Sequence, residues 1–498
     1  MSIDANDALP ANSVSRRGFL AGLGVVASAT ALSPLFAACG SSSSSNNSKA
    51  PTKLGKAPAK MTMLYAGDQS AGAAVAAVLP ALKDELGIEL QVTNLPYDQL
   101  QTKTFAELAT NAPAHDIYVV DTPWTPTLTH VLEPLDSYIG SAAMNKHSEI
   151  NIEDFIPKGF YDTSVYNINS PSLHYADTSS IDMAGIAKAG FNVLGLPIQG
   201  NALTMAYRKD LFDSPADKAA FKQKYGRELA VPSTWDEFTD VASFFTRPSQ
   251  KLYGTTLMAG VGDWSIDDFK TFAGSYGADG HLIDSHMKIQ ITSPDAIAAL
   301  QYYVDLINKY KVTPPGTTSA SWDNATSSFA SGLTAMTMNY SPQALNSNVK
   351  GEVAYALVPK KVTYAPHEGA WQLSIPKQSD DNTKAWAYQV IAWLTSAKEQ
   401  TAMLSDQLHP TRTSVYQAAT KKADLTAKFA NFYAILGQSL KYGVGRARVK
   451  QYNEVVQPIT VGVNDAARQA ASPQDAMQTA AQNVQKTLQS LGIKSTIA

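Results

Sequence analysis

From Lys60 onward, short apolar runs alternate with longer stretches whose apolar residues recur at helical spacing, the pattern of sheets covered by helices. Met61 to Tyr65 reads as a strand, Ala71 to Leu86 as an Ala-rich helix stopped by Gly87, and Ile88 to Thr93 as a second strand. Tyr97 to Thr110 places Leu100, Phe105 and Leu108 on one helix face, and Ile117 to Val120 is a third strand ending at Asp121. In such a βαβαβ unit ligands bind beyond the carboxyl ends of the strands. Attention therefore falls on the loops holding Gly67-Asp68-Gln69 and Asp121-Thr122-Pro123-Trp124.

The same materials recur downstream. Ser293 caps a helix with Pro294 in its first turn, and Ile297, Leu300, Val304 and Ile307 share one face. A helix closes over Phe329 to Gly332, and Leu333 to Met338 is a strand ending at Asn339-Tyr340. Trp386, Val390, Trp393 and Leu394 mark a buried helix stripe, which aromatics at this spacing form by packing. Ser472-Pro473 starts a terminal helix running to Leu488, and its low charge predicts that it packs onto a lobe. No repeat of solenoid length is present.

Composition narrows the function. The chain has 498 residues, a net charge of -3, 44% hydrophobic and 17% charged residues, which predicts a folded protein of at least two cores without the basic surface nucleic acid requires. The single cysteine, Cys39, excludes an internal disulfide and any thiolate metal cluster. It ends a leader in which Arg16 and Arg17 of SRRGFL precede an uncharged run through Ala38. The leader resembles a twin-arginine export signal. LFAACG resembles a lipoprotein cleavage site, with Phe36 where leucine is usual; an ordinary signal peptide with an incidental cysteine is the alternative. Ser41 to Ser48 is a polar tether, and no later run is long enough to span a bilayer. The expected division is 1–38 signal peptide, 39–59 lipidated cysteine and tether, and a folded region from 60 onward held to the membrane by lipid only.

Seven blocks, in order, resemble the bacterial extracellular solute-binding family whose best-known members bind maltose and other sugars for ABC importers. They are LPIQGNALTMAYRKDLF (196–212), VPSTWDEF (231–238), SPDAIAALQYYVDLINKYKVTPPG (293–316), SSFASGLTAMTMNYSP (327–342), EGAWQLSIPK (368–377), AWLTSAKEQ (392–400) and HPTRTSVY (409–416). Residues 137–190 match less well. The resemblance implies a two-lobed α/β fold of the type II periplasmic-binding class, each lobe a mostly parallel sheet flanked by helices, joined by a multi-segment hinge. Lobe 1 would take 60–195 and 370–412, and lobe 2 would take 196–369 and 413–498. It also implies a permease partner, a small carbohydrate-like solute in the cleft, no cofactor and no metal; the chain is expected to be an exported monomer. Hinge closure around ligand is a motion the type is known for.

A sugar or polyol presents hydroxyls and C–H faces, which planar aromatics and Asp, Asn, Gln or Arg neighbours satisfy when water leaves. Loop and strand ends supply such groups at Asp68 and Gln69, Asp121 and Trp124, and Gln199 and Asn201 before Tyr207. Further candidates are Asp263 and Trp264 in a Gly-flanked loop, Asn339 and Tyr340 at a strand end, and Trp371 in the segment re-entering the first lobe. The resemblance adds Tyr452, where relatives often carry a stacking aromatic. Arg412 suits hinge, solute or a structural ion pair, and Tyr207, Trp322 and Trp371 suit core packing as well as ligand contact.

Rival readings are enzymatic or adhesive. AGSYG around Ser275 lacks the first glycine of a nucleophile elbow, and His281 and His286 lack a third metal ligand. GVGDW and GVGRA lack the Lys-Ser/Thr ending of a phosphate loop. A glycosidase built on Asp121 and Asp263 stays open at this point, as do a non-sugar polar solute and a structural surface lipoprotein.

Overall fold

The apolar strand runs pair into two separate sheets. The first has the order Glu89–Leu95, Lys60–Ala66, Ile117–Asp121, Trp371–Ser374, Leu196–Gln199, and the second Val353–Ala356, Thr204–Arg208, Thr334–Asn339, Tyr253–Thr255. The computed structural model describes residues 49–67, 71–145, 150–176, 178–340, 349 and 351–498. Arg16, Arg17 and Cys39, with the candidate ligands Asp68 and Gln69, lie outside the described residues.

Both sheets are mixed, a correction to the expectation of mostly parallel ones. Lys60–Ala66 pairs in parallel with both of its neighbours, but Trp371–Ser374 runs antiparallel to Ile117–Asp121 and to Leu196–Gln199. In the second sheet Thr204–Arg208 is antiparallel to both neighbours, and only Thr334–Asn339 with Tyr253–Thr255 is parallel. The cause is connectivity. A strand reached by crossing over from the other lobe can enter the sheet from the opposite end, a direction the βαβ rule does not govern.

Each sheet carries its own apolar core. One cluster gathers Met63, Leu64, Val119, Leu196 and Ile198 with Leu373, Tyr388 and Leu394 of the returning segment. The other gathers Met205, Trp235, Phe272, Leu300 and Met336 with Val455, Val463 and Leu488 of the last two helices. Leu196–Gln199 belongs to the first sheet, and the chain passes to the second within the few residues before Thr204–Arg208. It returns between Val353–Ala356 and Trp371–Ser374, and crosses again near residues 408–416. A small third cluster, including Ile156, Ala202, Tyr355, Leu404, Tyr416 and Phe432, packs around these crossings.

The helix signals are realised locally. Ser293, Ser472 and Asp380 cap their helices by accepting backbone N–H groups, and Thr234 with Glu237 forms a full capping box. The terminal helix Pro473–Ser490 packs against Tyr452–Ala467, as its low charge predicts. Among the described residues no helix is long and apolar enough to cross a membrane.

Gly254 shows how tightly the second lobe is filled: a Cβ there would lie 2.2 Å from the backbone oxygen of Ala242, on the helix Trp235–Phe245. Gly254→Ala should therefore push strand from helix and lower unfolding stability by about 1–3 kcal/mol, read by chemical denaturation.

Candidate functional site

The strand ends of the first sheet supply one wall. Trp371 is in register with Asp121 on one side and Gln199 on the other, so the three residues come to one edge of the sheet. The helix Tyr97–Leu108 begins beside them, and the Tyr97 hydroxyl donates to Asp121 Oδ2 at 2.6 Å. The Tyr97 ring lies between Trp124, at 5.2 Å, and Trp371, stacked at 6.4 Å.

The second lobe supplies the other wall. Asp263 and Trp264 open the helix Asp263–Tyr276 rather than occupying a loop, and the Trp264 indole folds back over Gly262, where a Cβ would lie 2.3 Å from the ring. Trp264 Nε1 donates to Gly260 O at 2.9 Å and its ring meets Trp322 edge-on at 5.5 Å. One turn along the same helix, Asp267 accepts from Trp322 Nε1 at 2.9 Å and lies 2.9 Å from His367 Nε2. Tyr340 also turns its ring to His367, at 5.7 Å. Tyr452, first residue of its helix, donates to Asp263 Oδ1 at 3.2 Å.

Arg446 joins the walls. Its guanidinium lies 3.0 Å from Asp263, 3.6 Å from Asp267 and 3.9 Å from Asp121, so one cation faces carboxylates of both lobes. All these groups are largely withdrawn from water: Asp121 is 3% exposed, Tyr452 3%, Trp371 6% and Arg446 7%. The expected gap is thus shut on the protein's own side chains. Burial holds the Asp121 and Asp267 carboxyls above the ordinary range against the opposing pull of Arg446. Buried polar atoms here still lack hydrogen-bond partners: Gln199 Oε1, Trp124 Nε1 and Arg446 Nε. Native interiors rarely leave such atoms unpaired.

The remaining candidates lie elsewhere. Tyr207 packs on Phe212 at 5.0 Å at the flank of the second core. Asn201 accepts from Gln199 Nε2 at 3.3 Å and pairs with His409 Nδ1 at a crossing. The Asn339 amide is taken by Thr326 Oγ1, at 2.8 Å. Arg412 is a structural cation: it donates to the carbonyls of Thr395, Asn151 and Ile150, sits 3.6 Å from Asp154 and covers the Phe155 ring. Ser275 is a core residue that accepts from Trp235 Nε1 at 2.6 Å and donates to Phe272 O, so it is no nucleophile elbow. His281 pairs with Asp279 at 2.8 Å, and among the described residues no histidine and carboxylate group has the makings of a metal site. Sequence reasoning missed Tyr97, Asp267 and Arg446. The one sequence signal for Arg446 is the GVGRA run that contains it.

A second buried acid sits where the chain returns between lobes. Both Glu368 carboxyl oxygens lack hydrogen-bond partners and border a cavity of about 10 Å³ beside Gly159, Gly200 and Thr411. Burial first, then the neighbouring Asp162, push Glu368 from 4.5 up to about 8, with Lys158 and Lys270 opposing. A carboxyl raised in the folded state adds stability in full below its unfolded pKa, and that stability is lost as pH rises toward the folded value. Glu368→Gln should therefore flatten the fall in unfolding midpoint between pH 5 and 8.5 and be the more stable form at pH 8.5, by roughly 3 kcal/mol.

Comparison with known proteins places this geometry. The profile of the family described as "Bacterial extracellular solute-binding protein" matches residues 66–401. A periplasmic-binding protein of Sinorhizobium fredii assigned to an amino-acid ABC transporter is 23% identical over 361 residues, 68% of this chain and 72% of that protein. Thermotoga maritima MalE3 with maltose bound superposes with a TM-score of 0.67 at 24% identity, covering 86% of this chain and 100% of the other. An ABC transporter solute-binding protein of Agrobacterium radiobacter in complex with ribitol does so with a TM-score of 0.67 at 25% identity, covering 86% and 98%.

Proposed function

We propose that this chain, which belongs to the bacterial extracellular solute-binding protein family, captures a sugar- or polyol-like solute at the seam between its lobes and delivers it to the permease of an ABC importer without transforming it. The observation that carries the reading is the meeting of Asp121, Trp371 and Tyr97 with Asp263, Tyr452 and Arg446, together with the unpartnered polar atoms beside them. Aromatic faces next to hydroxyl-binding acids are what a saccharide needs when water is expelled. The solved relatives named above hold maltose and ribitol, which agrees with that chemistry.

A glycosidase reading has less support. It requires one acid to stay protonated and another to act across a gap, whereas Asp121 and Asp263 both face a single guanidinium. An amino-acid solute is the second reading, favoured by the name of the Sinorhizobium fredii relative.

A thermal-shift panel of sugars, polyols and amino acids should yield at least one stabilising sugar or polyol, worth about 2.7 kcal/mol at a hundredfold excess over its dissociation constant. Trp371→Ala should weaken that binder by roughly tenfold or more. Stabilisation by amino acids alone would replace the sugar reading, and turnover of chromogenic glycosides by the pure protein would replace the binding reading.

Export and anchoring belong to the same proposal: the arginine pair Arg16-Arg17 directs export, and lipid on Cys39 holds a monomer to the outer face of the cell membrane through the serine-rich tether. Cys39→Ser should move the protein from the membrane to the soluble fraction, read by fractionation and immunoblot; retention in the membrane would refute the anchor.

A further inference from the structure

We propose that the seam site selects solutes carrying a protonated amine, such as amino sugars or amino polyols, and rejects those carrying a carboxylate; this deepens the sugar and polyol reading and rests on it. The charges at the seam do not balance. Asp121, Asp263 and Asp267 converge within 3.9 Å of one guanidinium, that of Arg446. Lys270, a cation that acts on Asp267, is committed: its Nζ meets His367 Nδ1 at 2.8 Å and the carbonyls of Val444 and Gly445 at 2.6 and 2.5 Å. Burial and Arg446 lower Lys270 to about 7, so it adds at most one further charge at pH 6 and loses it at higher pH, which still leaves the three acids outnumbering the cations, and His367 is held neutral by burial.

Hydrogen bonds do not remove the excess. Tyr97, Tyr452 and Trp322 donate to the three acids but bring no positive charge. A neutral polyol would leave the imbalance in place and a carboxylate would worsen it. An ammonium corrects it, and its three donors suit the acids together with the unpartnered, 94% buried acceptor Gln199 Oε1, whose strand ends beside Trp371 and Asp121. The aromatic faces of Tyr97, Trp124 and Trp371 on one wall, and of Trp264, Trp322 and Tyr340 on the other, attract the same kind of cation.

The test is isothermal titration of the full chain with the neutral, 2-amino-2-deoxy, N-acetylated and uronic forms of glucose and galactose, and with ribitol, at pH 6 and at pH 9.5. The amino form should bind at least tenfold more tightly than its neutral and N-acetylated counterparts at pH 6. That advantage should vanish at pH 9.5, where the amine is uncharged, and the uronic forms should give no heat. Equal or tighter binding of the neutral form, or binding of a uronate, overturns the amine preference while leaving the sugar reading intact. No heat from any member removes both. Asp263→Asn, at the rim of the cluster, should bring the amino and neutral dissociation constants together, with Asp121→Asn as the second variant should the first fail to fold; an unchanged ratio in a folded variant overturns the assignment.

Discussion

The guanidinium of Arg446 is buried between carboxylates that arrive from two separately packed lobes, and burying those charges is tolerable only because they face one another. Remove the cation and three acids of like sign remain in a medium that hydrates them poorly. Separate the lobes and each acid regains water. The approach of the lobes is therefore governed at this point by electrostatics rather than by apolar burial, which each half already completes within its own cluster. The two lobes are thus finished cores that meet through a polar seam.

The segment that carries Arg446 also carries Arg448, which reaches into the first lobe. Arg448 donates to the carbonyls of Val165, Leu173, Tyr161 and Asp162 and lies 4.1 Å over the Tyr166 ring. It thereby ties the seam to residues 161–173 of the first lobe. Gln451, in the same segment, donates its backbone N–H to Thr127 at 3.0 Å. The proposed solute contact and the lobe contact share this stretch, and the backbone of Val444 also meets Glu368 at the returning crossover, with Glu368 N donating to Val444 O at 3.0 Å. A change felt at Arg446 has a short covalent path to the hinge.

How much of this was legible in the sequence follows from which features are local. Helix periodicity and cap chemistry are local, so Ser293-Pro294 and Ser472-Pro473 announced their helices. Strand ends are nearly so, and Asp121 is legible as the residue that closes an apolar run. Strand direction is not local: Trp371–Ser374 enters the first sheet only after the chain has built the second, and nothing in its four residues says from which end. Arg446 was illegible for a similar reason. It stands in an irregular stretch without periodicity, and its role exists only because Asp121 and Asp263 meet there. Asp267 reads as an ordinary polar residue of an amphipathic helix. For Arg412 the sequence leaves hinge, solute and structural roles open, and its carbonyl partners Ile150 and Asn151, far away in sequence, give it the structural one.

Fold likeness alone cannot supply specificity, because the same two-lobed frame serves relatives holding maltose and ribitol. Specificity has to come from side chains whose arrangement the frame does not require. A buried cluster with more acid than base meets that condition. Replacing one of the three aspartates by asparagine would keep the shape and relieve repulsion, so stability gives no reason for the third charge, and burial holds the Asp121 and Asp267 carboxyls above the ordinary range. A local conflict of this kind, in a chain otherwise consistent from capping to core, is expected where function rather than folding sets the residue. The conflict stands at the seam, among aromatic faces and unpartnered polar atoms, where the proposed guest of opposite charge would resolve it.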